Sequence, residues 1–123
     1  MDTSEIKSVI QNYLTACYES SREGFREVLH DAAHVYGIVE GGGFLDRDKE
    51  AFVKYIESVN PDGAKPDFPR QDEVLSIEFT GEETAVVRLK VRVRNIMFTD
   101  ILSFIRLDGK WTIISKLYSG VLI

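Results

Sequence analysis

Two ionisable side chains interrupt the most apolar stretches of the chain. Asp100 stands within Phe98-Thr99-Asp100-Ile101-Leu102-Ser103-Phe104, and Lys116 within Ile113-Ile114-Ser115-Lys116-Leu117-Tyr118. Buried charges are normally paired or hydrogen-bonded, so each calls for a partner or a ligand. Tyr13 lies on the apolar stripe of an N-terminal helical pattern, and His34 opens the β-branched and aromatic run Val35-Tyr36-Gly37-Ile38-Val39. Tyr, His and Asp can all move protons, so Tyr13, His34 and Asp100 are the catalytic candidates. Each also has a plainer reading. A tyrosine on a helix facing a sheet is commonly core, a histidine can simply bond backbone, and a charge can sit in a structural ion pair. His30 and His34 are four apart, a ligand spacing if helical. The helix should be ending there and a third ligand is lacking, so no metal is expected. Cys17 is the only cysteine, which excludes an intrachain disulfide and a thiolate metal cluster. Its place on the first helix's stripe is that of an inert buried thiol. Ser103 has no His–Asp pair at triad spacing. Gly41-Gly42-Gly43 lacks the Lys-Ser/Thr of a phosphate loop. No cofactor is expected.

The last third of the chain must position these groups. Ala85, Val87, Leu89, Val91 and Val93 alternate with Arg88, Lys90, Arg92 and Arg94, the period of a half-buried strand. Ile96–Leu107 is apolar on both faces, and Trp111–Tyr118 reads as its return strand. Asp108-Gly109 between them suits a two-residue type I′ turn, which fixes the register. Strict pairing from that turn sets Lys116 opposite Ile101 and Tyr118 opposite Thr99. Ile101, Ser103, Lys116 and Tyr118 then share one face, and Asp100 points to the other unless a bulge intervenes.

N-terminal to this sheet, Ile6, Val9, Ile10, Tyr13, Leu14 and Cys17 recur at helical spacing. Asp2 with Glu5 resembles a capping box, and that helix should run to about Tyr18. A short helix carries Phe25, Val28 and Leu29. A short strand follows at Val35–Val39, then a third helix from Asp46 or Asp48 carrying Phe52, Val53, Ile56 and Val59. Asp72–Thr80 alternates as a further strand. The order α-α-β-α-β-β-β-β predicts a single α+β domain over residues 1–123, with three N-terminal helices packed on a curved antiparallel sheet.

Composition narrows the partners. A chain of 123 residues with 44% hydrophobic and 28% charged residues is an ordinary globular domain. Its net charge of −5 argues against nucleic acid and anionic membrane as partners. Arg88, Lys90, Arg92 and Arg94 form a basic stripe without interleaved aromatic rings, which reads as a solvated strand face. No apolar run is long enough to span a bilayer, and the expected compartment is the cytoplasm.

Several of these pieces together resemble the NTF2-like, or cystatin-like, superfamily, and most closely its group labelled "putative lumazine-binding", beside the SnoaL-like cyclases. The pieces are Ile10-x-x-Tyr13-Leu14, His30-x-x-Ala33-x-Val35, Phe52-x-x-Tyr55-Ile56, and Thr99-Asp100-Ile101-Leu102-Ser103-Phe104 running into Asp108-Gly109-Lys110-Trp111-Thr112-Ile113. The resemblance implies a sheet wrapped around a cone-shaped pocket and, usually, a homodimer. It implies no single activity, because the superfamily includes isomerases, cyclases, dehydratases and transport factors. Ketosteroid isomerase, one member, uses a helix tyrosine that matches Tyr13. Its carboxylate base falls near Gly37, and the aspartic acid of its penultimate strand near Ser103, so two of its three functions are missing.

The functional expectation is a small-molecule-binding domain lined by Tyr13, His34, Tyr36, Phe52, Ile56, Ile101, Ser103, Lys116 and Tyr118. Tyr13 is expected to point its hydroxyl into the cavity, so that Tyr13→Phe costs little stability. Lys116 is expected to take an anionic ligand, unless a helix carboxylate already pairs it. The alternatives are a general acid–base enzyme of isomerase, cyclase or dehydratase type, and an association domain with a filled interior. A homodimer is expected because the chain's own helices can cover only one face of the apolar Ile96–Leu107 strand.

Overall fold

The computed structural model describes residues 3–39 and 41–123; the cap expected at Asp2 lies outside them. The elements are α1 (Ser4–Glu19), α2 (Arg22–Val28), β1 (Leu29–Ile38), β2 (Phe44–Asp48), α3 (Lys49–Val59), β3 (Asp72–Phe79), β4 (Thr84–Val93), β5 (Ile96–Leu107) and β6 (Lys110–Leu122). The strands form one curved, unclosed sheet in the order β2-β1-β6-β5-β4-β3, and the architecture is α+β as expected.

Two details of the expected layout are corrected. The third helix is not grouped with the first two, because β1 and β2 precede it. The sheet is not wholly antiparallel either: β1 runs parallel to β6, while the remaining neighbours are antiparallel. Parallel pairing needs a long crossover, and everything from β2 to β5 lies within it. β2 escaped notice because it is five residues long and carries Asp46 and Asp48, poor strand formers. It exists because Leu45 and Arg47 pair with Gly37 and Val35 of β1.

The helices cover one face of the sheet, here called inner. Ile6, Ile10, Tyr13, Leu14 and Cys17 of α1 pack in one buried cluster with Val87, Leu89, Val91, Leu102 and Phe104. A buried Ile or Leu contributes roughly 1.5–3 kcal/mol, so this stripe is what holds α1 to the sheet. Ser21 caps α2 by accepting from the Gly24 N–H, and Asp48 caps α3 by accepting from the Ala51 N–H at 2.8 Å. Lys49 then fixes where α3 begins. Its Nζ donates to the carbonyls of Arg26 and Leu29 and to Asp31, all at about 3 Å, which leaves that buried ammonium fully partnered.

The Asp108-Gly109 turn is as expected, with positive φ at both residues (50° and 75°). Pairing runs regularly from Leu107–Lys110 to Phe104–Ile113, with Arg106 opposite Trp111. The Trp111 ring packs edge-on to Phe79 at 5.8 Å. Beyond Ile113 the register slips. Ser103 pairs with Ser115, so Ile114 is an extra residue in β6, and Lys116 falls opposite Leu102 and Tyr118 opposite Asp100. A one-residue slip reverses every side chain beyond it. Lys116, Tyr118 and Asp100 therefore share the inner face, and Ile101, Ser103 and Leu117 look outward.

Candidate functional site

Between α3, the end of α1 and the inner face lies a cleft of about 150 Å³. Phe25, Phe52, Ile56, Phe98 and Tyr118 form its walls, and Asp100, Lys116 and Cys17 line its buried end. Arg47, Tyr55, Arg94 and Asn95 line its exposed end. A larger open groove of about 390 Å³ runs between residues 19–23 and 57–66. None of its lining residues is buried, so it lacks the convergent desolvated groups that bind small molecules.

The buried end is an ionic cluster with an unfinished hydrogen-bond pattern. Asp100 is wholly buried, and its Oδ2 accepts from the Tyr13 hydroxyl. The Lys116 Nζ stands 3.9 Å from the same Oδ2, close enough for Coulomb attraction but too far for a hydrogen bond. The other oxygen, Oδ1, has no hydrogen-bond partner among the described residues. Lys116 is enclosed by rings instead: its Nζ lies 5.1 Å from the centroid of Phe52, 5.4 Å from Tyr13, 5.6 Å from Tyr118 and 5.8 Å from Phe25. Each desolvated cation–π contact contributes up to about 2 kcal/mol. Four of them, with Asp100, offset a burial penalty of several kcal/mol for one ammonium. The cleft thus ends on the Lys116 side chain and the Asp100 carboxylate.

Burial, and after it the charge of Asp100, pushes the Tyr13 hydroxyl well above its ordinary value of 10. Tyr13 thus remains a phenol that donates to Asp100 and is not a base. Burial likewise pushes the Cys17 thiol up to about 12, although Lys116 pulls the other way.

Four of the residues expected in the pocket line the cleft: Phe52, Ile56, Lys116 and Tyr118. Tyr13 lies behind it with its hydroxyl on Asp100 rather than in the open space, which overturns the expectation that the hydroxyl is free. Ile101 and Ser103 are corrected to the outer face by the Ile114 bulge. His34 and Tyr36 are corrected to the outer face as well, because they pair with Ser115 and Leu117 while Val35 pairs with Lys116. There His34 stacks on Tyr36, Tyr36 on Phe44, and the His34 Nδ1 meets Asp46 at 2.6 Å. His30 accepts from the Ala32 N–H; both histidines are on β1, so the helical spacing that made them a ligand pair does not arise. Gly37 explains how Tyr118 reaches the cleft: a Cβ at residue 37 would lie 2.6 Å from the Tyr118 ring. Sequence reasoning missed Phe25, Cys17 and Phe98 as lining residues, and both mouth arginines. Phe98 was legible in one respect, since it shares a strand face with Asp100 by simple alternation.

A family described as "Putative lumazine-binding" matches residues 1–119. A protein named aldolase FrzH from a Cladobotryum species is 27% identical over 94% of this chain and 91% of its own length. Among solved structures, an NTF2-like protein of unknown function from Silicibacter pomeroyi superimposes with a TM-score of 0.83 at 21% identity, over 98% of this chain and all of that one. One from Shewanella baltica gives 0.84 at 19%, covering 97% and 93%. A ketosteroid isomerase-like protein from Erwinia carotovora atroseptica gives 0.76 at 16%, covering 98% and 96%.

Proposed function

The chain belongs to the putative lumazine-binding family of NTF2-like domains, and on that premise we propose that it binds a small molecule in the cleft that ends at Lys116 and Asp100. One observation carries the reading. Asp100 Oδ1 is buried without a partner among the described residues, and leaving such an acceptor unpaired costs about 1–3 kcal/mol or more. A ligand donor at that oxygen removes the cost, and an acceptor beside it takes a Lys116 N–H. The ligand therefore presents a donor and an acceptor side by side on a flat, apolar body that fits between aromatic walls. A cavity of this volume takes about one six-membered ring, with the remainder of the ligand in the mouth. Flat heterocycles of the kind the family description names have such an edge.

The test is a thermal-shift titration with 4-hydroxybenzamide, whose phenol can both donate and accept. The parent should gain several degrees. Ile56→Trp, which fills the cleft from its wall, should fold and gain nothing. Equal stabilisation of both proteins would place binding elsewhere.

A second reading, general acid–base catalysis on a carbonyl compound, is favoured by the same free oxygen: Oδ1 can accept an α-proton while Lys116 holds the oxygen that becomes an enolate. A relative named an aldolase supports that reading. Asp100 lies three residues from Ser103 on the same strand and accepts from the Tyr13 hydroxyl. Exchange of α-protons in D2O, followed by NMR and absent in Asp100→Asn, distinguishes catalysis from binding alone. The outer face, where Ile101, Leu117 and Val121 are exposed, is the proposed contact of a homodimer.

A further inference from the structure

The mouth of the cleft carries two guanidiniums, Arg47 and Arg94, that pair with no carboxylate among the described residues. Arg47 points inward from β2, opposite Val35, with its guanidinium 4.1 Å from the centroid of the Tyr55 ring. Stacking on a ring leaves the in-plane N–H donors of an arginine free, and among the described residues they have no acceptor. The nearby acids are committed elsewhere: Asp46 to His34, Asp48 to the α3 cap, and Glu57 to Arg22. Arg94 stands at the first of the two residues turning β4 into β5, with φ of 56°, a position glycine takes at no steric cost. Its Nη2 donates to the Val59 carbonyl at 3.0 Å, and the residue is exposed. Tyr55 and Val59 are four residues apart on α3, so they are neighbours about 5–6 Å apart on one helix face. One helix turn thus holds both guanidiniums at the same rim. The floor is different, because Lys116 already has Asp100, which is the only carboxylate lining the cleft among the described residues.

We propose that the ligand is an organic carboxylate whose anion is taken at the mouth by Arg47 and Arg94, while its neutral polar end meets Lys116 and Asp100. This rests on the cleft-binding reading and moves the anion away from Lys116, where the sequence had placed it. The planar fork of a stacked arginine fits a carboxylate in two-point contact. The paired ion at the floor gains little from a second anion, which would sit against Asp100.

The test is calorimetric titration of 4-hydroxybenzoate and its neutral isostere 4-hydroxybenzamide into the parent, Arg47→Gln, Arg94→Gln and Lys116→Met. The parent should bind the benzoate at least tenfold more tightly. Each arginine variant should lose most of that preference and keep its affinity for the benzamide, with Arg47→Lys in between. If Lys116→Met folds, it should weaken both probes and keep the preference. Three results overturn the mouth site while cleft binding stands: no preference in the parent, a preference that survives both arginine variants, or one lost only with Lys116. Failure of both probes to bind the parent overturns the cleft reading, and this proposal with it.

Discussion

Tyr13 is the residue whose role the structure changes most. Its hydroxyl supplies the one side-chain hydrogen bond that the buried carboxylate of Asp100 makes among the described residues. Tyr13→Phe keeps the ring beside Phe25 and Lys116 and leaves both carboxylate oxygens without a hydrogen bond. The loss of stability should be about 2 kcal/mol, read from urea denaturation; a change near zero would mean water or rearrangement replaces the hydroxyl. Cys17 gives a second prediction. The folded thiol ionises near 12 against an ordinary 9, so at pH 8 its reaction with a disulfide reagent should be roughly a thousandfold slower than in denaturant. The linkage has a definite sign. Between pH 9 and 12 the unfolded thiol loses its proton while the folded one keeps it, so this group lowers stability as pH rises above 9 and has no influence below. Cys17→Ala should flatten that part of the stability profile.

At the scale of elements, the site depends on two features of the strands. The first is the parallel junction of β1 and β6, where the Tyr118 ring lies over Gly37. Gly37→Ala forces the ring and the backbone apart and should cost about 1–3 kcal/mol, with recovery when Tyr118→Leu is added; an additive double variant would contradict this contact. The second is the Ile114 bulge, and it shows where sequence reading stops. Helix α1, the β4–β5–β6 meander and the Asp108-Gly109 turn were legible because period and turn chemistry are local properties. Asp100 and Lys116 were legible as misplaced charges for the same reason. Their partnership was not, because alternation assumes regular pairing and nothing in Ile113-Ile114-Ser115 marks the extra residue. That single slip also moved Ile101 and Ser103 out of the expected pocket. His34 and Tyr36 were misplaced for another reason: the pairing of β1 with β6 is set by a long crossover, which no local pattern reports. Arg47 was hidden with the short strand β2.

For the whole molecule, the helices leave the outer face of the sheet uncovered. Leu117 and Val121 are 50% and 63% exposed there. Light scattering should give the mass of a dimer at micromolar concentration, and Leu117→Lys should give a folded monomer; a monomeric parent would contradict the two-fold contact. No helix among the described residues is long and apolar enough to cross a membrane. Three surfaces thus compete as places for a small ligand: the outer face, the open polar groove, and the inner cleft. An NMR titration with 4-hydroxybenzamide separates them most directly. Saturable shifts should fall on Phe52, Ile56, Phe98, Lys116 and Tyr118 and vanish in Ile56→Trp. Shifts confined to Ile101, Leu117 and Val121, or to residues 19–23 and 57–66, with Lys116 unmoved, would contradict the cleft as the binding site.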